Sequence, residues 1–163
     1  MKTLLIMRHA KSVHPDGMAD HDRPLNDRGL RDAPRMGLLL KEQGLLPDII
    51  VSSTAVRALS TAQLASEACG FEGRIATDRT LYLPEPADML RVLREQPDSA
   101  ACVMLVSHNP GSEAIVHALT GSYEAMPTAA VARIEIDTEA WSTWQPERGA
   151  TLKNLWRPRD LDA

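Results

Sequence analysis

The chain has 163 residues, a formal net charge of −4, and 44% hydrophobic and 25% charged residues. These values lie near those of an ordinary globular domain and exclude collagen, coiled coil and extended disorder. No apolar run approaches the roughly 18–20 residues of a membrane-spanning helix, and the acidic balance argues against a nucleic-acid module, which carries a basic stripe.

The length predicts one domain, residues 1–163, because chains of about 150 residues bury some 68–70% of their unfolded surface. The opening Met1–Arg8 is too briefly apolar for a signal peptide. Cys69 and Cys102 both lie in apolar surroundings, which suits reduced core thiols and predicts a cytoplasmic setting.

Short apolar runs alternate with amphipathic segments. That is the pattern of an α/β fold with a mostly parallel central sheet flanked by helices in three layers. Residues 3–7 read as a buried strand, followed by a polar loop over 10–25. Asn26 or Asp27 caps a helix that runs to Gly44, with Leu30, Ala33, Met36, Gly37 and Leu40 on its inner face. Pro34 predicts a kink or a later start. Residues 48–52 form the second strand, and Thr54 is the expected N-cap of a helix ending at Gly70 with Leu59, Ala62, Ala65 and Cys69 inward. A weak strand over 74–77 and a helix over 87–95 follow. Residues 102–106 make the clearest strand, and Asn109 and Pro110 suit the N-cap and first position of a helix to Thr120. Residues 131–136 alternate like an edge or half-exposed strand, and the tail around Leu152, Leu155 and Trp156 offers one more. Trp141, Trp144 and Trp156 are expected to cover one edge of the core.

Ligands of open α/β sheets bind beyond the carboxyl ends of the strands. The three strongest strands exit into Arg8-His9-Ala10-Lys11-Ser12, into Ser52-Ser53-Thr54 with Arg57 just inside the next helix, and into Ser107-His108-Asn109-Pro110. With Thr54 as cap, Arg57 stands where the helix dipole favours an acid, so something anionic is expected beside it. Two arginines and two histidines meeting in an acidic protein need a counter-anion. A phosphoryl group fits, because arginine forks match its oxygens. A neutral imidazole attacks phosphorus well, and the remaining cations neutralise the charge on the equatorial oxygens.

Arg8-His9 after the first strand resembles the R-H-G signature of the histidine phosphatase superfamily, the phosphoglycerate mutase-like fold, with Ala10 in place of glycine. Arg57 within Ser52–Ala62 resembles the second motif of that family, Ser107–Pro110 the third, and Arg23–Gly29 the segment that opens its first helix. Within the superfamily the short chain looks most like the SixA type, the small phosphohistidine phosphatases. The resemblance implies that His9 becomes phosphorylated, that Arg8, Arg57 and His108 bind the phosphoryl group, and that Arg23 lines the pocket mouth. It further implies a phosphohistidine-containing protein as partner, such as a phosphotransfer domain, with no cofactor and no metal. A small phosphorylated metabolite is the alternative substrate, and an inactive phospho-binding module the alternative function.

An acid that would protonate an alkoxide leaving group has no clear motif. Glu85 is the nearest candidate, with Asp88, Asp20 and Asp22 as further options. A histidine leaves as an imidazole of conjugate-acid pKa about 6.5 and needs that acid far less than an alcohol does. Competing patterns fail on spacing: neither cysteine heads a C-x5-R, and no P-loop or nucleophile elbow is present. His14, Asp20, His21 and Asp22 match no standard zinc spacing. The 10–25 loop they occupy reads instead as a lid or recognition surface.

Overall fold

A computed structural model describes residues 1–147 and 149–162. Six strands, β1 (Lys2–Arg8), β2 (Ile49–Ser52), β3 (Ala76–Thr77), β4 (Cys102–Ser107), β5 (Val131–Ile136) and β6 (Ala150–Trp156), form one sheet in the order β3-β2-β4-β1-β5-β6. The β3-β2, β2-β4 and β4-β1 pairs are parallel, and β1-β5 and β5-β6 are antiparallel. The helices are α1 (Asp27–Glu42), α2 (Val56–Cys69), α3 (Pro86–Arg94) and α4 (Gly111–Thr120).

Alternation along the buried strands builds the three layers. Leu5, Met7, Ile50, Met104 and Val106 pack under α1 and α2 with Ala33, Met36, Leu40, Ala58, Ala62 and Ala65. Leu4, Ile6, Val51, Val103 and Leu105 turn the other way, onto Met89, Val92 and Leu93 of α3 and Ile115, Val116 and Leu119 of α4. Each such aliphatic side chain contributes about 1.5–3 kcal/mol by leaving water. Trp141 and Trp144 lie in the α3–α4 half of the core, whereas Trp156 packs against the α1–α2 half, so the three tryptophans do not share one edge.

Several local expectations are corrected. Helix α1 runs unbroken through Pro34, capped by the Asn26 side chain, which accepts from the Gly29 amide at 2.9 Å. Leu30 is 51% exposed rather than inward, because the buried stripe begins at Gly29. Gly29 presses so closely on Lys11 that a Cβ there would collide with the Lys11 carbonyl, and Gly37 meets the Ala65 carbonyl in the same way. Ala55, not Thr54, is the N-cap of α2, and Leu59 is only half-buried. Thr54 Oγ1 pairs with His21 Nε2 instead (2.8 Å), and Arg57 moves one position nearer the helix start. Pro110, not Asn109, caps α4, after a cis Asn109–Pro110 bond. The Asn109 side chain is turned away to donate to Glu113 Oε1 and the Met126 carbonyl, both at 3.0 Å. Strand β5 is internal, because β6 pairs along its outer side and takes the edge. Cys69 and Cys102 are buried free thiols, and burial pushes the Cys102 thiol up to about 12.

Candidate active site

The strand order explains how distant residues meet. β2, β4 and β1 are consecutive neighbours, and their registers align Arg8 with Ser107 and Ser52 with Val106. All three run parallel, so their exits open on one edge of the sheet. Arg8, His9, Arg57 and His108 line a cavity of about 250 Å³ there, with Arg23, Lys11 and His14 nearer the loop that crosses it.

His9 is buried, at 7% exposure, and its Nδ1 lies 2.7 Å from the Ala10 carbonyl. A carbonyl only accepts, so Nδ1 carries the hydrogen and Nε2 keeps its lone pair. Burial pushes the His9 pKa down to about 4, assisted by the charges of Arg57, Arg8 and Arg23. The ring is therefore neutral at pH 7. The loop that bears it is fixed by the Ala10 amide, which donates to Thr61 Oγ1 (2.9 Å), and by the Ala129 amide, which donates to the His9 carbonyl (2.9 Å).

The His108 ring centre lies 5.0 Å from that of His9 at an angle of 52°. Its Nε2 meets Ser53 Oγ at 2.8 Å. Burial lowers its pKa to about 3, with His9 and Arg57 adding to the effect. Arg8 Nη1 donates to the Met126 carbonyl at 3.0 Å. Arg57 is 6% exposed and donates from Nη1 to the Asp20 carbonyl (2.6 Å) and from Nη2 to Asp20 Oδ2 (3.0 Å). Arg8 Nε, Arg57 Nε and His108 Nδ1 are buried without a partner among the described residues. Unpartnered buried donors are rare and each demands an explanation. Three on the residues flanking His9 suit one acceptor-rich anion.

The 10–25 loop meets this set at Arg57. Asp20 begins a single 3-10 turn, Asp20–Asp22, in the 10–25 loop. Its carboxylate accepts from Arg57, from Arg23 Nη1 (2.9 Å) and from the Tyr82 hydroxyl, and these contacts hold its pKa near 2. The Tyr82 ring stands edge-on to both His108 (5.4 Å) and His21 (5.0 Å). Arg23 also donates to Ser12 Oγ (2.6 Å) and the Val13 carbonyl (3.0 Å), so it braces the 10–25 loop as well as lining the cavity.

The other candidate acids stand elsewhere. Glu85 caps α3 on the exposed surface and lines a neighbouring groove with Leu83, Pro84 and Pro110. Asp88 accepts from the Glu85 amide at 2.9 Å, and Asp22 lies 3.8 Å from His21. Among the described residues no carboxylate lines the cavity itself. Nor does any group of three His, Cys, Asp or Glu side chains among them form a metal-binding cluster.

Sequence reasoning missed Tyr82 and Ser53, and it weighed Asp20 as an acid or a metal ligand, not as a partner of Arg57. Tyr82 stood in a stretch with no chemical motif, although the chain has just two tyrosines and one phenylalanine. Arg57 carried a signal that did point to Asp20: a cation near a helix start needs an anion beside it.

Residues 4–81 match the profile of the histidine phosphatase superfamily, branch 1. An uncharacterized protein of Mycobacterium tuberculosis (strain ATCC 25618 / H37Rv) is 38% identical over 109 residues, covering 67% of this chain and 66% of that protein. One of Mycobacterium leprae is 35% identical over 120 residues, covering 71% and 72%. The chain thus spans about two-thirds of the length of such relatives. Among solved structures, a candidate phosphohistidine phosphatase SixA from Agrobacterium tumefaciens superposes with a TM-score of 0.81 at 27% identity, covering 96% of this chain and 98% of that one. A second candidate SixA, from Nakamurella multipartitia, gives 0.83 at 25% identity, covering 96% of each chain. A protein histidine phosphatase SixA complexed with tungstate shares the fold, with a TM-score of 0.85 at 20% identity over 98% of this chain and 99% of that one.

Proposed function

Since the chain belongs to the histidine phosphatase superfamily, we propose that it is a phosphohistidine phosphatase that works through a phosphorylated His9. The observation that supports this most directly is His9 itself. With Nδ1 on the Ala10 carbonyl its Nε2 is free, and it shares the cavity with Arg8, Arg57 and His108, each of which has a buried nitrogen without a partner among the described residues.

In the first step His9 Nε2 attacks phosphorus, and the bond from phosphorus to the substrate's ring nitrogen breaks. The bonding pair returns to that nitrogen. When the other nitrogen of the substrate ring already carries a hydrogen, a neutral histidine departs and no further proton is needed. Phospho-His9 is the same species with the roles exchanged, its Nδ1–H still on the Ala10 carbonyl. In the second step water attacks, the pair returns to Nε2, and dihydrogen phosphate leaves with both water protons. Arg8, Arg57 and His108 hold the charge of the transferring group in each step, which is the main source of catalysis in phosphoryl transfer. Arg23 steadies the 10–25 loop at the mouth. The cavity lining lacks a carboxylate, and that suits a leaving group that supplies its own proton.

The partner in this reading is a protein carrying phosphohistidine, a phosphotransfer domain being the type. The reaction is proposed to proceed without metal, since the cationic set already supplies the charge, and in the cytoplasm, where two reduced thiols belong. Residues 1–163 act as one domain in this reading.

Rapid quench with labelled phosphohistidine peptide tests it. Acid-labile, base-stable label on His9, absent from His9→Ala, is the expected result. Label on another side chain overturns the mechanism. Turnover of alkyl phosphates alone, abolished in Glu85→Gln, assigns the enzyme to small metabolites instead. Tight phosphopeptide binding with no release of phosphate makes it a binding module.

A further inference from the structure

Ser53 is fully buried at the exit of β2, and nothing above gives it a role beyond contact with His108. Its Oγ has two partners among the described residues. The Ala55 amide, at the start of α2, donates to it at 3.2 Å, and His108 Nε2 lies 2.8 Å away. An amide can only donate, so Oγ accepts from Ala55. The hydroxyl hydrogen then has one place to go, the lone pair of His108 Nε2. The reverse arrangement, with Nε2–H donating to Oγ, would leave two buried groups unpaired, the hydroxyl hydrogen and the Nδ1 lone pair, where the Nδ1–H form leaves one, and each such group is costly.

We propose that Ser53 is a positioning residue that locks His108 in its Nδ1–H form, so that the ring offers the phosphoryl group a neutral donor rather than a lone pair. The chain of donation runs from the Ala55 amide through the Ser53 hydroxyl to His108 Nε2. With Nε2 committed, Nδ1 is the only ring nitrogen left for the cavity that His108 lines, and it has no other partner. In the Nδ1–H form it donates to a phosphoryl oxygen. In the other form two lone pairs would oppose each other across the same gap. The arrangement parallels His9, whose tautomer is set by the Ala10 carbonyl. One ring thus has its hydrogen turned away and attacks, while the other has its hydrogen left free and donates. The tautomer is independent of the substrate reading, and only its effect on turnover rests on that reading.

The test has two parts on the full-length chain. Nitrogen-15 NMR of the uniformly labelled wild type at pH 7 reads the His108 tautomer directly, and Nδ1 is expected to be protonated with Nε2 bare. Ser53→Ala is then expected to lose the pure Nδ1–H signature. Its kcat on phosphohistidine peptide should fall about tenfold or more, as for loss of one aligned donor to the transition state, while KM changes far less. A wild-type ring protonated at Nε2 overturns the proposal. So does a Ser53→Ala protein that keeps the Nδ1–H signature, or one that loses the signature while keeping kcat. If the variant does not fold, the wild-type spectrum decides. If wild type shows Nδ1–H yet does not cleave phosphohistidine, the substrate reading fails and the tautomer assignment stands.

Discussion

Asp20 and Arg57 are joined twice: the Asp20 carbonyl accepts from Arg57 Nη1 at 2.6 Å and its carboxylate from Nη2 at 3.0 Å. The 10–25 loop therefore places an anion of its own on the cation proposed to hold the phosphoryl group. Asp20→Ala keeps the carbonyl contact and removes the carboxylate, with its charge and its bonds to Arg57, Arg23 and Tyr82. Inorganic phosphate is then expected to inhibit more tightly, by about three- to tenfold, since one opposing charge a few ångströms away is lost at a solvated site. The shift should shrink with added salt. Unchanged or weaker inhibition by phosphate would show that the carboxylate orders Arg57 instead of competing for it.

The two histidines set the acid stability. Both pKa values are lowered on folding, His9 to about 4 and His108 to about 3. Above about pH 6.5 each ring is neutral in the folded and unfolded chains alike, and neither costs anything. Below it the unfolded chain takes up protons that the folded chain refuses. Stability is thus full above pH 6.5 and is lost as the pH falls through 4 and towards 3, by up to about 1.4 kcal/mol per pH unit for each ring. Asp20, held near 2, adds a loss only below its ordinary value of 3.8. Urea midpoints between pH 6.5 and 4 measure the slope, and His108→Asn is expected to reduce it by about half. The acid limb of kcat/KM should also lie near pH 4, well below that of an ordinary histidine.

Core and helix contacts give two further tests. Leu105 is fully buried between α3 and α4. Leu105→Ala is expected to cost about 2–5 kcal/mol in chemical denaturation, with KM unaffected in the protein that remains folded.

Gly37→Ala forces α1 from the Ala65 carbonyl and Gly29→Ala forces it from the Lys11 carbonyl. Overpacking of this kind costs about 1–3 kcal/mol. Gly29 bears on the segment that follows His9, so Gly29→Ala is expected to lower kcat as well. Gly37→Ala, placed between two helices, should lower stability alone. Denaturation and steady-state kinetics on the two variants separate these effects.

The strands that carry the site were legible because each is buried on both faces and so holds a continuous apolar run: residues 4–7, 49–51 and 102–106. Their exits followed, and with them Arg8, His9, Arg57 and His108. Side-chain competition for backbone donors was not legible. Thr54 suits a helix cap, but its Oγ1 is paired with Nε2 of His21, thirty-three residues away in sequence. Asn109 has the right chemistry for a cap too, but Glu113 and Met126 claim its amide. Tyr82 escaped notice for a related reason. Its partners Asp20 and His108 come together only once the sheet has formed.

The Met126 carbonyl accepts from both Arg8 and Asn109, and Glu113 Oε1 in turn receives the Met126 amide at 2.8 Å. The 121–130 connection is therefore part of the frame of the site, although it supplies no reacting atom. Residues inserted there would drag Arg8 out of place, so that connection is closed to lengthening. The Leu83 side chain at the rim, 75% exposed, carries no such duty, unlike its neighbour Tyr82. A library randomised at Leu83 alone is expected to preserve the chemistry, where lengthening the 121–130 connection would lose it.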